Sequence, residues 1–339
     1  LRYRTYRPRD MNASSSPRST WPIRSILTEN GGKAQATRNP WTLLSGNYSM
    51  SIINNANPGS SLVLIPLFDR IVQNAQAPLS PEAVVARYRP NNLPANDNAW
   101  GKIRENLAFW CRLGLWPMEE ERILPQPNET RPLYQRVLQC TIDACKEKGI
   151  AEGKECEPLW RVLTCLMNLQ QHSLGGKEPL APNIITEKLQ RWLPTETVNS
   201  NTEKLVREYG RYLGFLELAP DQNYYTDPTR AIQCFLPQIF GEQNSLSIKT
   251  FMANMAEVMP MMDGGEFRVK MQEIMSERNW SAPEGKNIST STSLALRRLE
   301  IDQKIQLIVG SDDAASLSLQ LPNGEIRPVS QVRLREAAQ

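Results

Sequence analysis

Apolar residues recur at helical spacing along most of the chain, in blocks that polar or Pro/Gly-rich stretches separate. The block at 62–72 predicts a first helix. Residues 80–82 (SPE) give the N-cap, the proline and the acidic residue that begin a second. A third helix is predicted over 97–113. The apolar pairs 115–116 and 123–124 then predict two short strands joined by a turn.

The end of this third helix has a counterpart 100 residues further along the chain. Residues 107–116 and 206–216 both carry aromatic side chains and a late arginine, close on Leu-Gly, and continue into a short apolar strand. This order is typical of the passage from the third helix to the wing of a winged helix-turn-helix domain. Such an order rarely occurs twice in one chain by chance. The repeat predicts a mainly α-helical fold with small β wings, in which tandem winged helix-turn-helix domains are joined by helical connectors.

The second copy shows further parts of such a domain. Residues 183–192 predict one helix, which Pro194 ends, and 199–213 predict the next. Residues 215–218 and 224–226 predict the two wing strands around a polar turn.

A third candidate module lies near the C-terminus and lacks the Leu-Gly helix end. Its helix begins at 289–293, and strands are predicted at 304–309 and 317–321. Residues 322–324 (PNG) are a hairpin signal. The methionine-rich segment 252–262 that precedes this module predicts helical core packing, with a pliable partner groove as the alternative.

These patterns divide the chain into six segments. They are a disordered basic tail (1–49), a first winged helix (50–130), a helical connector (131–178), a second winged helix (179–230), a second helical connector (231–280) and a winged-helix-like C-terminal module (281–339).

Charge is distributed unevenly between the tail and the rest. The net charge of +3 combines a tail of eight basic and two acidic residues with a mildly acidic remainder. The tail could bind phosphates, with an affinity that comes from counterion release. The favoured interpretation is that the natural protein begins at Met50, since the chain starts with Leu1, as an upstream start codon translated literally would give.

The second module carries the arrangement expected of a helix in the DNA major groove. Lys204, Arg207 and Arg211 fall close to one helical stripe, and Asn201 lies near the start of the helix. Amides near base edges and cations near phosphates suit such recognition. Two glutamates in the same helix leave a solvated, mixed-charge face as the alternative.

The first module is a weaker candidate for nucleic acid. Lys102 and Arg104 lie on its third helix, but 119–121 place three glutamates in the wing, where they would repel phosphates. A solvated or protein-facing surface is therefore favoured there.

The third module offers Ser291 near a helix start and Arg297 and Arg298 further along the helix. Hydroxyls at a helix N-terminus suit phosphate binding. Any capped helix begins in the same way, so the pattern is not specific.

Catalytic patterns are nearly absent, which predicts a non-enzymatic protein without cofactor or metal. His172 is the single histidine and excludes sites built on two histidines. Residues 175–177 (GGK) lack the other elements of a phosphate loop, and 152–154 and 284–286 lack the aspartate strand of a metal nuclease. The six cysteines form no CxxC pair and no apolar run spans a bilayer, which predicts reduced thiols in a cytoplasmic protein with no membrane contact.

With this layout, the chain resembles the DpdG family of bacterial proteins. The resemblance rests on residues 50–54 (MSIIN), 109–116 (FWCRLGLW), 258–268 (VMPMMDGGEFR) and 293–300 (SLALRRLE), and it covers residues 50–336. It implies a role on the restriction side of the system that inserts 7-deazaguanine derivatives into DNA and restricts unmodified DNA, acting through other proteins of this antiviral defence system. Double-stranded DNA is expected as a further partner from the cationic helices, not from the resemblance. These motifs are structural and imply no catalytic residues.

Three hypotheses follow. The leading one is a DNA-binding or adaptor subunit of a defence complex, whose second and third modules contact DNA while the first contacts a protein. The alternatives are a protein–protein scaffold without nucleic-acid binding, and a winged-helix transcriptional regulator or replication initiator.

Overall fold

The computed structural model describes residues 51–88, 97–151, 153–169, 188–194, 198–220, 224–275, 285–310, 316–321 and 324–335. In these ranges the chain is mainly helical, with small antiparallel sheets. The α-helices are α1 (Leu64–Gln73), α2 (Pro81–Tyr88), α3 (Asp97–Arg112), α4 (Leu133–Lys148), α5 (Glu157–Met167), α6 (Ser200–Tyr212), α7 (Thr229–Phe240), α8 (Ile248–Val258), α9 (Glu266–Met275) and α10 (Thr290–Ile301). The strands are β1 (Met118–Glu119), β2 (Arg122–Ile123), β3 (Leu216–Leu218), β4 (Tyr224–Thr226), β5 (Ser245–Ser247), β6 (Ile305–Ile308), β7 (Leu317–Gln320), β8 (Ile326–Val329) and β9 (Gln331–Leu334).

The first group of elements comprises α1, α2, α3 and the β1–β2 hairpin. Between α1 and α2, Leu79 forms an antiparallel bridge with Ile123 of β2, so the hairpin is tied to the helix–helix connection. The strand predicted at Leu115 and Trp116 is wrong. Both side chains are buried in the core, and the hairpin begins only at Met118.

The two Leu-Gly segments end α3 and α6 with the same hydrogen-bond pattern. Gly114 and Gly214 have φ values of +78° and +84°. The amide of Leu115 donates to the carbonyl of Trp110, and that of Phe215 donates to the carbonyl of Gly210. Such bonds across six residues close a helix on a left-handed residue, where glycine pays no Cβ penalty. The repeated sequence therefore encodes a repeated helix end.

The second group comprises a helical segment at 188–192, then α6 and the β3–β4 hairpin. The hairpin strands lie within the two segments predicted for them. The helix start predicted at Asn183 lies outside the described residues, but Leu189 and Trp192 are buried, as a helix facing the core requires.

The C-terminal third is organised by a sheet that joins distant segments. β9 lies between β5 and β6 and pairs antiparallel with both, while β7 pairs with β8 in a separate hairpin. The sequence predicted a helical connector over 231–280, so β5 was missed. The sheet joins residues on both sides of position 280, where the sequence predicted a domain boundary.

The first and second groups pack on a shared core. The N-terminal segment around Ile52 is buried, and the hydroxyl of Tyr209 on α6 donates to the carbonyl of Gly59 at 2.5 Å. The side-chain amide of Asn106 on α3 donates to the carbonyl of Pro58 at 2.5 Å. Residues 51–60 therefore connect α3 with α6.

The methionine-rich segment before α9 is part of the core. Met255, Met259, Met261 and Met262 are fully buried, which confirms the prediction of core packing. Close by, the guanidinium of Arg268 is buried, lies 3.0 Å from Asp263 and donates to Asn168 at 2.7 Å.

Candidate nucleic-acid interface

Helix α6 begins with a reciprocal cap. The side-chain oxygen of Asn199 accepts bonds from the amides of Asn201 and Thr202, and the hydroxyl of Thr202 accepts one from the amide of Asn199. This capping box satisfies amides that a helix start leaves without partners. The cap fixes where α6 starts, and with it the positions of the side chains on its outer face.

The two faces of α6 differ sharply in chemistry. Leu205, Val206 and Tyr209 are buried. Asn201, Lys204 and Arg211 are exposed, and Arg207 is half-buried. The structure thus brings all four residues that the sequence selected in this module to the solvent side of one helix.

Each cation on this face has a different local environment. Lys204 lies 3.7 Å from Glu208, an exposed pair of the kind that contributes little to stability. The guanidinium of Arg207 lies 5.4 Å from the ring centre of Tyr224 on β4. Arg211 makes no ion pair within the part of the chain that the structure describes. These cations retain most of their capacity to bind an anion.

Arg230, at the start of α7, holds the hairpin against α6. Its Nε lies 2.8 Å from Glu217 of β3, and its terminal nitrogen donates to the carbonyl of Arg211. Sequence reasoning missed this residue, because nothing local distinguishes it from any solvated arginine. Arg230 and the Arg207–Tyr224 contact fix the hairpin relative to the cationic helix.

The first module presents a surface of mixed charge. Lys102 on α3 is exposed, and Arg104 on the same helix is half-buried. Glu119, Glu120 and Glu121 are all exposed at the hairpin turn, and the last two have φ values of +47° and +61°. This exposed acidic turn disfavours a phosphate backbone nearby.

The third module does not present the predicted phosphate site. Ser291 is fully buried, and its hydroxyl donates to the carbonyl of Met167 at 2.6 Å. Thr290 and Ser289 similarly donate to Leu169 and Asp263. The hydroxyls at this helix start serve interior packing, so the prediction for Ser291 is wrong.

The two arginines of that helix are engaged within the chain. Arg297 pairs with Glu300, and Arg298 pairs with the buried carboxylate of Asp227, just after β4. Arg327 also pairs with Glu300, at 2.5 Å. The Arg298 and Arg327 pairs connect α10 to the end of β4 and to β8, and a DNA contact would have to compete with the pairs of Arg297 and Arg298.

The described residues hold no group of His, Cys, Asp and Glu side chains that could bind a metal ion. His172 and the glycines at 175–176 lie outside those residues, as does part of each of the two E-G-K segments. The six cysteines carry free thiols, and burial raises the pKa of Cys111 and Cys156 to about 12, which disfavours the reactive thiolate. No described helix is long and apolar enough to cross a membrane.

These features define a mainly helical protein with small antiparallel hairpins and one helix that exposes a row of cations. The chain belongs to the DpdG-like family, whose model matches residues 50–313. This match confirms the resemblance drawn from the sequence and supports a DNA-modification and defence context. Neither the search of curated proteins nor that of solved structures found a match.

Proposed function

We propose that this protein is a non-enzymatic adaptor of a bacterial DNA-modification and restriction system. It binds double-stranded DNA through α6 and the β3–β4 hairpin, and another protein through its first module. The observation that carries the proposal is the outer face of α6, where Asn201, Lys204, Arg207 and Arg211 are brought together beside a fixed hairpin.

The order of elements supports the view that the first two modules are winged helices. In the first, α1, the Leu79 bridge, α2, α3 and the β1–β2 hairpin follow one another, and Leu79 pairs with the second hairpin strand. In the second, the helical segment at 188–192, α6 and the β3–β4 hairpin repeat the later part of this order. In such domains the helix before the hairpin enters the major groove.

The experiment is a salt titration of the full chain with a 20-bp DNA duplex, comparing wild type with the Arg207→Ala/Arg211→Ala variant. Each phosphate contact contributes roughly one unit to the slope of log affinity against log salt concentration, so the double variant should lose about one to two units. A matched Lys249→Ala/Lys270→Ala variant removes exposed cations from α8 and α9 and should keep the wild-type slope.

Two results would overturn the DNA part of the proposal. One is a wild-type protein whose affinity does not depend on salt, and the other is an equal loss of slope in both double variants. The second result would show a general effect of net charge rather than a site on α6.

A pure protein scaffold is the alternative that a specific observation favours. Glu119, Glu120 and Glu121 form an exposed acidic turn in the first module, which suits a basic protein surface better than DNA. The same titration separates the two functions, because a scaffold shows no salt-dependent DNA binding.

A further inference from the structure

A groove of about 510 Å³ lies between α1 and α2 of the first module, far along the chain from the cationic face of α6. It is lined by Leu67, Arg70, Ile71, Asn74, Arg87 and Tyr88. Its volume lies within the range of roughly 300–1,000 Å³ that is typical of ligand pockets. The groove can therefore accept bulky side chains of a bound molecule.

One component of this surface is apolar. Val63 and Leu67, one helical turn apart, are 74% and 38% exposed, and Ile71 follows after another turn. The ring of Tyr88 packs edge-on against that of Phe68, with ring centres 6.1 Å apart, which braces the groove wall against the core. An apolar stripe on the wall of a groove offers a surface that apolar side chains of a bound molecule can cover.

The other component is cationic. Arg70 and Arg87 are exposed, and neither guanidinium has an ion pair or hydrogen bond among the described residues. Asp69, the neighbour of Arg70, does not neutralise it, because its carboxylate accepts bonds from Arg136 at 2.6 Å and Trp116 at 2.9 Å. Two cations therefore flank the apolar stripe without a carboxylate partner.

We propose that this groove binds a short segment of a partner protein, in which one or two bulky apolar side chains are flanked by carboxylates. The apolar side chains cover Leu67 and Ile71, and the carboxylates bind Arg70 and Arg87, since arginine and carboxylate form the strong charge-assisted pairs. This inference rests on the proposed function, in which the first module binds a protein, and it supplies the chemistry of that partner.

DNA fits this groove less well than an acidic protein segment does. Phosphate oxygens could bind the two arginines, but a phosphate backbone offers nothing that would cover Val63, Leu67 and Ile71.

The test uses fluorescence anisotropy of the full chain with three labelled 12-residue peptides. One has a central Leu-Phe pair flanked on each side by two glutamates, one replaces the glutamates with glutamine, and one replaces Leu-Phe with serine. We expect only the first to bind. Its affinity should fall about tenfold or more in Arg70→Ala/Arg87→Ala, because each exposed arginine–carboxylate pair contributes a factor of roughly three to five. It should be unchanged in Lys249→Ala/Lys270→Ala.

Three results would overturn the proposal: no difference between acidic and glutamine peptides, an unchanged affinity in the arginine variant, or displacement of the peptide by duplex DNA from the groove. A concentration-dependent dimer of the chain that the arginine variant loses would also overturn it, by showing that a second copy is the occupant. Failure of DNA binding through Arg207 and Arg211 is measured separately, so loss of one activity does not obscure the other.

Discussion

Gly114 and Gly214 occupy the same place in two repeated helix ends, yet their surroundings differ. Both have positive φ values, which only glycine adopts without strain. A Cβ added to Gly114 would meet no heavy atom within 4 Å, whereas one added to Gly214 would lie 2.9 Å from the amide nitrogen of Ala231. The second glycine is thus required by both backbone conformation and packing.

This difference predicts unequal effects of the same substitution. Gly114→Ala should lower the free energy of unfolding by about 1–2 kcal/mol, the cost of the left-handed conformation for a residue with a Cβ. Gly214→Ala should cost roughly 1–3 kcal/mol more, because the start of α7 must move. Urea denaturation followed by circular dichroism measures both, and equal losses would show that the contact with Ala231 relaxes freely.

At the scale of the element, two nearby asparagines at the start of α6 have different roles, one in stability and the other in DNA binding. The side chain of Asn199 caps the helix, while that of Asn201 is exposed on the outer face. Asn199→Ala should lower the free energy of unfolding by about 1 kcal/mol, since it removes the cap. Asn201→Ala should leave stability unchanged and weaken DNA binding.

The comparison uses thermal denaturation and the salt-titrated DNA assay on both variants. Asn201→Ala is the matched control for the loss of an amide at a helix start. If Asn201→Ala destabilises the protein as much as Asn199→Ala does, or leaves DNA affinity intact, the assignment of these two roles is wrong.

Features that depend on a few consecutive residues could be predicted from the sequence, and features that join distant residues could not. The cap at Asn199 and the helix end at Gly214 are written in a few consecutive residues, so they were predictable. The pairing of β5 with β9 joins positions about 85 residues apart, and three residues such as Ser245–Ser247 carry no period that predicts it. The prediction for Ser291 was wrong for a related reason. Serine begins exposed and buried helices alike, and only the contact with Met167 distinguishes the two cases.

At the scale of the whole molecule, Glu155 connects three parts of the chain. Its carboxylate lies 2.5 Å from Arg112 on α3 and 2.6 Å from Lys148 on α4, and its carbonyl accepts a bond from Ile52 at 2.7 Å. Burial by itself would raise the pKa of Glu155, but the bonds from Lys148 and Arg112 outweigh this effect and hold the pKa below its ordinary value. The folded state therefore favours the ionised carboxylate.

A lowered pKa means that this stabilisation is present at neutral pH and is lost as the pH falls through the pKa of the folded state. Glu155→Gln should lower the free energy of unfolding by about 1–3 kcal/mol at pH 7, because it leaves cations beside a neutral group. The difference from wild type should shrink below about pH 4.3, where an unfolded glutamate is protonated. Glu273→Gln, in the exposed pair with Lys270, should cost less than about 1 kcal/mol. Urea titrations between pH 7 and pH 3.5 test this, and a difference for Glu155→Gln that stays constant over that range would show that its charge does not connect the three segments.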